Sequence, residues 1–175
     1  MEDSKYKTLR GRFFAGIIDG LVLMPLYFVS PADHIGSVPA LLLILWYLVF
    51  EASGYMYSIV MHKRYGQTVG KMMMRVKVVT YPDEGSLSYR RAILRDIGFI
   101  IPAVGASLYN IPYLLAGQNP YERPEGMSSV EMFMIYSSVA WFLLEMTTAL
   151  LSSKRRAVHD HIAGTVVIRV PNQAL

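Results

Sequence analysis

The 175-residue chain contains no cysteine. This absence excludes disulfides, thiolate zinc sites, thiol redox chemistry and a cysteine nucleophile. Charged residues are also scarce, at 17% of the chain against about 25% in an average soluble domain, whereas 53% of the residues are hydrophobic. The apolar residues lie in long blocks rather than at the periodic positions of a soluble core, and a bilayer requires about 20 of them in a row. The composition therefore predicts an integral membrane protein.

Several signatures of catalysis and of nucleic-acid binding are missing as well. The sequence contains no G-x-S-x-G, no H-E-x-x-H, no phosphate loop and no dinucleotide fingerprint. No nucleophile–base pair is visible, so we expect no enzymatic activity, no cofactor and no metal. The net charge of +4 would suit a nucleic acid, but the basic residues flank apolar blocks instead of forming a stripe on a polar domain. Nucleic acid is therefore not an expected partner.

Four apolar blocks are long enough to cross a bilayer. They predict an all-α membrane protein, a four-transmembrane-helix bundle forming a single domain over residues 1–175. The third block contains two prolines, so a re-entrant or kinked segment is its alternative. Asp19 inside the first block argues against cleavage of that block as a signal peptide. The predicted spans cover residues 13–30, 38–61, 97–117 and 130–151.

The lysines and arginines predict the orientation of these spans. Of the 17, all except Arg123 lie in the N-terminal tail, in the loop 62–96 or in the C-terminal segment 152–175. Short loops rich in Lys and Arg stay in the cytoplasm. We therefore expect both termini on the cytoplasmic side of the cell membrane. The expected partners are the lipid bilayer and either further copies of the chain or another membrane protein.

The loop and the C-terminal segment both contain strand patterns. Residues 73–80 alternate around Val76 and Val78, and residues 164–170 form a second β-branched run. Because unpaired strand edges are costly near lipid, these two runs are expected to pair into a small cytoplasmic β element. The methionine-rich segment before the first run is amphipathic. It is expected to lie among the headgroups with Lys71 toward phosphates and its methionines toward lipid.

Three acidic residues lie deep inside predicted spans, where no basic residue of a span reaches the same depth. Asp19 has two interpretations: an ion or proton ligand, or a structural partner of an arginine such as Arg95 or Arg156. Glu51 and Glu145 are interpreted either as part of a cation or proton route, or as neutral, hydrogen-bonded acids that hold helices together. A carboxylate at such depth costs about 3 kcal/mol, so each should face protein, water or a cation.

The segment His159-Asp160-His161 resembles a metal or catalytic cluster. On a helix, alternate residues point about 200° apart, so the two histidines would converge only on a strand or a turn. We therefore interpret the histidines as structural. Asp160 is expected to anchor its segment to nearby arginines or to cap local backbone.

Four stretches of the chain resemble the RDD family of small bacterial membrane proteins: RFFAGIIDG at 12–20, GQTVGKMMMRVKVV at 66–79, SYRRAILRD at 88–96 and HDHIAGTVVI at 159–168. That family is named for an arginine and two aspartates, to which Arg12, Asp19 and Asp160 correspond. The remaining residues that match the family motifs are Gly66, Gln67, Thr68, Gly70, Lys71, Arg91, Arg95, Gly164 and Thr165.

For this family, transport is the function usually suggested, and an accessory role in a membrane complex is the usual alternative; the resemblance implies the same two functions here. Two functions therefore stay open. The first is transport of cations, protons or a small solute through an acidic bundle interior, in which Glu51 and Glu145 take part. The second is a non-conducting accessory or regulatory subunit of another membrane protein complex.

Overall fold

The computed structural model describes residues 2–122 and 126–171, which form seven helices, one 3-10 turn and two strands. Four of the helices are long and the other three have six residues or fewer. In chain order the elements are α1 (Glu2–Lys5), α2 (Leu9–Tyr27), the 3-10 turn (Pro31–His34), α3 (Ala40–Tyr65), α4 (Val69–Met73), β1 (Val76–Thr80), α5 (Tyr89–Leu115), α6 (Ser129–Leu151), α7 (Val158–Ala163) and β2 (Thr165–Arg169).

Three of the described helices, α3, α5 and α6, are long and apolar enough to cross a membrane. Their outward side chains are largely apolar, as lipid contact requires. Helix α2 overlaps the first predicted span, but its 19 residues include Arg10, Arg12 and Asp19. The structure therefore confirms a mostly helical protein with three candidate spans, and the fourth crossing stays a prediction.

All but the last two residues of the predicted third span lie within one continuous helix. Ser88 caps α5, because its side chain accepts a hydrogen bond from the backbone N–H of Arg91. The helix then runs to Leu115 with Pro102 and Pro112 inside it. It begins eight residues earlier than the apolar block, so the segment predicted as a loop contributes two turns to α5.

The two strands pair as the sequence predicted. β1 and β2 are antiparallel, with Lys77 opposite Ile168. Val76, Val78 and Val167 form a small core together with Leu87. The strands are slightly shorter than the predicted runs, because α4 extends to Met73, Arg75 has φ of 54° and Gly164 ends α7 with φ of 61°. The end of the bundle that carries β1, β2, α4 and α7 is called the strand end below.

The N-terminal and C-terminal segments meet at the strand end. Lys5 forms an ion pair of 2.5 Å with Glu84, in the turn that follows β1. At the start of α2, Arg12 forms an ion pair of 2.9 Å with Asp160 of α7. A second apolar core, made of Leu43, Tyr47 and Leu114, lies toward the opposite end of α3 and α5.

Candidate functional site

Asp160 is the centre of a buried ionic cluster at the strand end. Its side chain is fully buried and forms ion pairs with Arg95 at 2.5 Å and with Arg12 at 2.9 Å. It also accepts hydrogen bonds from the Thr165 hydroxyl and from the backbone N–H of Ala157. Thus α2, α5 and α7 each supply one charged residue, and the aspartate binds both arginines and caps its own helix.

Electrostatics keep Asp160 ionised. Burial alone would raise the pKa of its carboxyl group. The charges of Arg95 and Arg12 outweigh that effect and hold the pKa well below its usual value. Because a charge buried without a partner is very costly, the cluster depends on all three residues being present together.

His159 extends the cluster to Glu145, and the geometry defines its tautomer. The Nε2 atom of His159 lies 3.0 Å from a guanidinium nitrogen of Arg12 and 3.0 Å from one of Arg95. Arginine can only donate, so Nε2 must accept and carry no proton. The ring proton is then on Nδ1, which lies 2.7 Å from Glu145 Oε2 at an angle that does not meet the geometry of a hydrogen bond. Burial, followed by the charge of Arg95, lowers the pKa of His159 and favours this neutral ring.

From the sequence, Glu145 was expected to have no basic residue near it. That expectation was wrong, because His159 is its neighbour. Beyond the ring contact, Glu145 Oε1 accepts a hydrogen bond of 3.1 Å from the backbone N–H of His159. The chain leaves α6 and turns back, so α7 packs against the last turns of the helix that contains Glu145. The position of Glu145 along α6 could not show that α7 folds back next to it.

The end of α7 positions Gly164 and Thr165 next to arginines at the strand end. Gly164 ends α7 with φ of 61°, a left-handed conformation that favours glycine. Its carbonyl accepts a hydrogen bond from Arg91. Thr165 is fully buried and accepts from Arg95 at 3.0 Å, while Arg156 donates to the Thr165 carbonyl.

Asp19 forms a separate cluster without an arginine, so its proposed pairing with Arg95 or Arg156 was wrong. Its two carboxylate oxygens accept three hydrogen bonds, from the Tyr57 hydroxyl at 2.8 Å, the Thr68 hydroxyl at 2.6 Å and the Gly70 backbone N–H at 2.8 Å. These donors attach α3 and the short helix α4 to α2. The sequence had not singled out Tyr57.

The GQT motif folds so that α4 can approach α2 closely. Gly66 ends α3 with φ of 71°, and the Gln67 side chain donates to the Val76 carbonyl. Thr68 then caps α4 through its hydroxyl. A Cβ on Gly70 would lie only 2.1 Å from the carbonyl oxygen of Ala15 in α2. Glycine is therefore required there for contact between the two helices.

Lys71 lies toward the bundle rather than toward headgroup phosphates, so this expectation was also wrong. Its ammonium group lies 3.4 Å from the Thr68 hydroxyl. Burial, followed by the charge of Arg95, lowers the pKa of Lys71 to about 8, while Asp19 acts in the opposite direction. Met72 and Met73 of the same helix are exposed, as the amphipathic pattern predicted.

Glu51 differs from the other two deep acids because it lines open space. A cleft of about 420 Å³ between α2, α3 and α5 contains Glu51, Ser53, Ser58 and Asp96. A second cleft of about 250 Å³ shares Glu51, Tyr27 and Phe50 with the first and continues to Ser30 and Tyr121. Glu51 thus lies between a cleft that reaches toward the strand end and one that reaches toward the opposite end.

The sequence had not singled out three polar residues in or next to the first cleft: Ser58, His62 and Asp96. Oδ2 of Asp96 is shielded from solvent and has no hydrogen-bond partner among the described residues. Ser58 forms a hydrogen bond of 3.1 Å with Nδ1 of His62. His62 is 2% exposed, and its Nε2 also lacks a partner within the described part of the chain. The i, i+4 spacing of Ser58 and His62 was the available signal.

The described residues contain no group of three or more His, Asp or Glu side chains placed to hold a metal ion. Three helices that are long and apolar enough to cross a bilayer define the class of protein: it is a membrane protein. The family model described as RDD family matches residues 6–164, so the chain belongs to the RDD family. No curated protein and no solved structure matches the chain.

Proposed function

We propose that the protein carries a small cation or a proton across the membrane through the two clefts that meet at Glu51. The observation that carries this proposal is the first cleft, in which Glu51 and Asp96 share one space without a lysine or arginine among its described lining residues. An unpartnered carboxylate oxygen, such as Oδ2 of Asp96, is costly unless water, a proton or a cation binds it.

The arrangement of the clefts supports movement rather than simple storage of an ion. Tyr121 donates a long hydrogen bond of 3.4 Å to Glu51 from the side of the second cleft. Ser58 and Asp96 lie on the other side of Glu51, toward the strand end. A carboxylate between two such spaces can exchange its ion with either of them, as alternating access requires.

A four-span topology with both termini in the cytoplasm is part of this proposal. The ion pair of Arg12 with Asp160 joins the start of α2 to α7, which follows the last apolar helix. Both segments therefore lie at one end of the bundle, and an even number of crossings puts both on one membrane side. The basic residues concentrated there support the cytoplasmic side of the cell membrane.

We also propose that the protein has no enzymatic activity. The Ser58–His62 pair has the spacing of a nucleophile and a base. A base of this kind needs a third group that orients its ring, and Nε2 of His62 contacts no such group among the described residues. Polar lining of the cleft is the role that its position supports.

The test is flux in reconstituted vesicles that contain the full chain. Wild-type protein should transport protons or one of a panel of monovalent cations. Glu51→Gln and Asp96→Asn should each lower flux at least tenfold, while the control Glu122→Gln, in an exposed loop, should retain it. Absence of wild-type flux for every ion, or equal flux in the Glu51→Gln variant and the wild type, would contradict the proposal.

An accessory subunit is the second candidate, and α6 is the observation that favours it. Only Glu145 and Ala149 are buried along the 23 residues of this helix. Its exposed side chains, Phe133, Tyr136 and Phe142 among them, are available to lipid or to another membrane protein. Purification in mild detergent distinguishes the candidates: a stoichiometric foreign subunit, together with absence of flux, would favour the accessory role.

A further inference from the structure

A basic cleft lies at the strand end, apart from the clusters and clefts described above. It has a volume of about 480 Å³ and is lined by Lys7, Leu9, Arg10, Leu150, Arg155 and Arg169. These residues come from the segment before α2, from α2 itself, from the end of α6, from the following loop and from β2. Four cations therefore converge from segments that are far apart in the chain.

The four basic side chains are not neutralised within the described part of the chain. No described carboxylate lines the cleft, and the ion pairs among described residues involve none of the four. Lys7, Arg10 and Arg169 are exposed. Like charges in one space repel each other, so an anion bound there would be stabilised by all four.

One wall of the cleft is held in place by the protein. Arg155 donates a hydrogen bond of 2.6 Å to the Leu150 carbonyl, and its own carbonyl accepts one of 2.8 Å from Arg12. The ionic cluster around Asp160 thus fixes the loop that carries Arg155. A site whose cations are held in advance loses less conformational freedom on binding.

The cleft adjoins the ends of two long helices that carry exposed apolar side chains. Leu150 is 54% exposed near the end of α6, and Phe13 and Phe14 are exposed one turn after Arg10 on α2. Apolar side chains of this kind contact acyl chains, and arginine or lysine next to them reaches the phosphate layer. The basic residues of the cleft therefore suit the phosphate of a phospholipid, and its two leucines suit the acyl chains.

We propose that this cleft binds the phosphate of an anionic phospholipid headgroup, with Arg10, Arg155 and Arg169 as its phosphate ligands. Guanidinium groups bind phosphate oxygens in pairs of parallel hydrogen bonds, whereas Lys7 adds a point charge. Leu9 and Leu150 contact the start of the acyl chains. Basic pockets at the cytoplasmic ends of transmembrane helices recognise lipids by this chemistry.

The test uses the full chain in a non-ionic detergent and counts bound ligand by native mass spectrometry. Phosphatidylglycerol, phosphatidylcholine and inorganic phosphate are titrated separately. The variant Arg10→Gln/Arg169→Gln removes two exposed cations of the cleft. The control Arg64→Gln/Arg90→Gln removes two exposed cations of the same end that lie outside it.

Wild-type protein should bind one phosphatidylglycerol at least tenfold more tightly than phosphatidylcholine. Loss of two cations from the cleft should weaken that binding roughly 25-fold, since each charge near an anionic lipid contributes roughly fivefold. The control should change it less than twofold. Equal weakening in both variants would mean general surface charge and would overturn the proposal. Inorganic phosphate that binds as tightly as the lipid would overturn the lipid as ligand.

Discussion

The strand end and the Glu51 clefts place carboxylates in opposite situations. At the strand end, Asp160 and Asp19 each receive several hydrogen bonds or ion pairs, and most of the donors lie on other segments. In the clefts, Glu51 has one long hydrogen bond from Tyr121, and Asp96 has an oxygen without a described partner. Satisfied carboxylates hold a fold together, whereas unsatisfied ones are available to bind a ligand.

The RDD motif residues belong mostly to the first of these two regions. The family's arginine and aspartates fasten α4 and α7 to the long helices, and the motif glycines allow the close approach. Glu51, which is outside the motif stretches, and Asp96, the last residue of SYRRAILRD, lie in the other region. Most of the motif therefore builds the strand end, while the ion route that we propose uses Glu51, outside the motif stretches, and Asp96, at the end of one of them.

The largest effect should come from removing the central charge of the strand end. Asp160→Asn leaves Arg12 and Arg95 buried together without a counter-charge, which costs about 3–5 kcal/mol. We expect little folded protein by size-exclusion chromatography in detergent. Asp33→Asn in the exposed 3-10 turn is the matched control and should behave as wild type. A normal yield and melting temperature for Asp160→Asn would mean that the carboxylates of the strand end are no more important for stability than those of the clefts.

The contact between α4 and α2 should be the next most sensitive feature. Gly70→Ala puts a methyl group against the backbone of Ala15, and overpacking of this kind costs about 1–3 kcal/mol. We expect a lower melting temperature in detergent. Gly16→Ala is the control on α2, because no described atom lies within 4 Å of a Cβ there. Equal melting temperatures for the two variants would contradict the close contact.

The strand end should also lose stability in acid because of His159. Its pKa is lowered in the folded protein, so the unfolded chain binds a proton first as the pH falls below about 6.5. Protonation would remove the Nε2 acceptor that faces Arg12 and Arg95. Stability should fall by about 1 kcal/mol between pH 7.5 and 5.5.

Two variants isolate this effect in thermal melts across the pH range. His159→Gln should be less stable at pH 7.5 and should lose part of the pH dependence, since the buried His62 also gains a proton only on unfolding. His161→Gln, at an exposed position of the same helix, should keep the dependence of the wild type. A His159→Gln protein that retains the full slope would assign the titration to another group.

The smallest effect on stability is expected at Glu51, in the second region. Glu51→Gln retains the shape of the side chain and one acceptor for Tyr121, so the free energy of unfolding should change by less than about 0.5 kcal/mol. Flux, by contrast, should be lost. A Glu51→Gln variant that melts several degrees lower would mean that Glu51 is a structural residue like Asp160, and the comparison between the two regions would fail.

Local patterns predicted the elements of the fold well. The alternation around Val76 and Val78 and the β-branched run at 164–170 predicted both strands and their pairing. Apolar blocks predicted α3, α5 and α6 to within a few residues at most ends. The start of α5 was missed by eight residues because the polar turns from Tyr89 to Asp96 pack against α7 instead of entering lipid.

The partners of the acidic residues could not be predicted in the same way. Asp19 was matched to arginines because these lie at a similar level, yet its donors are Tyr57, Thr68 and Gly70. Glu145 was taken to be without a basic neighbour, yet His159 contacts it. In both cases a short helix, α4 or α7, folds back against the long helices. Neither the hydropathy nor the position of a residue along its own helix predicts such a contact.

The sequence by itself determined that the chain resides in a membrane, which segments are apolar enough to cross it, and which residues match the RDD motifs. These properties depend on composition along short stretches, and transfer into lipid is close to a sum over residues. Only the tertiary structure decided which carboxylates are neutralised and which line a cleft. Hydrogen bonds and ion pairs require contacts within about 3 Å, and those contacts are formed by segments far apart in the chain.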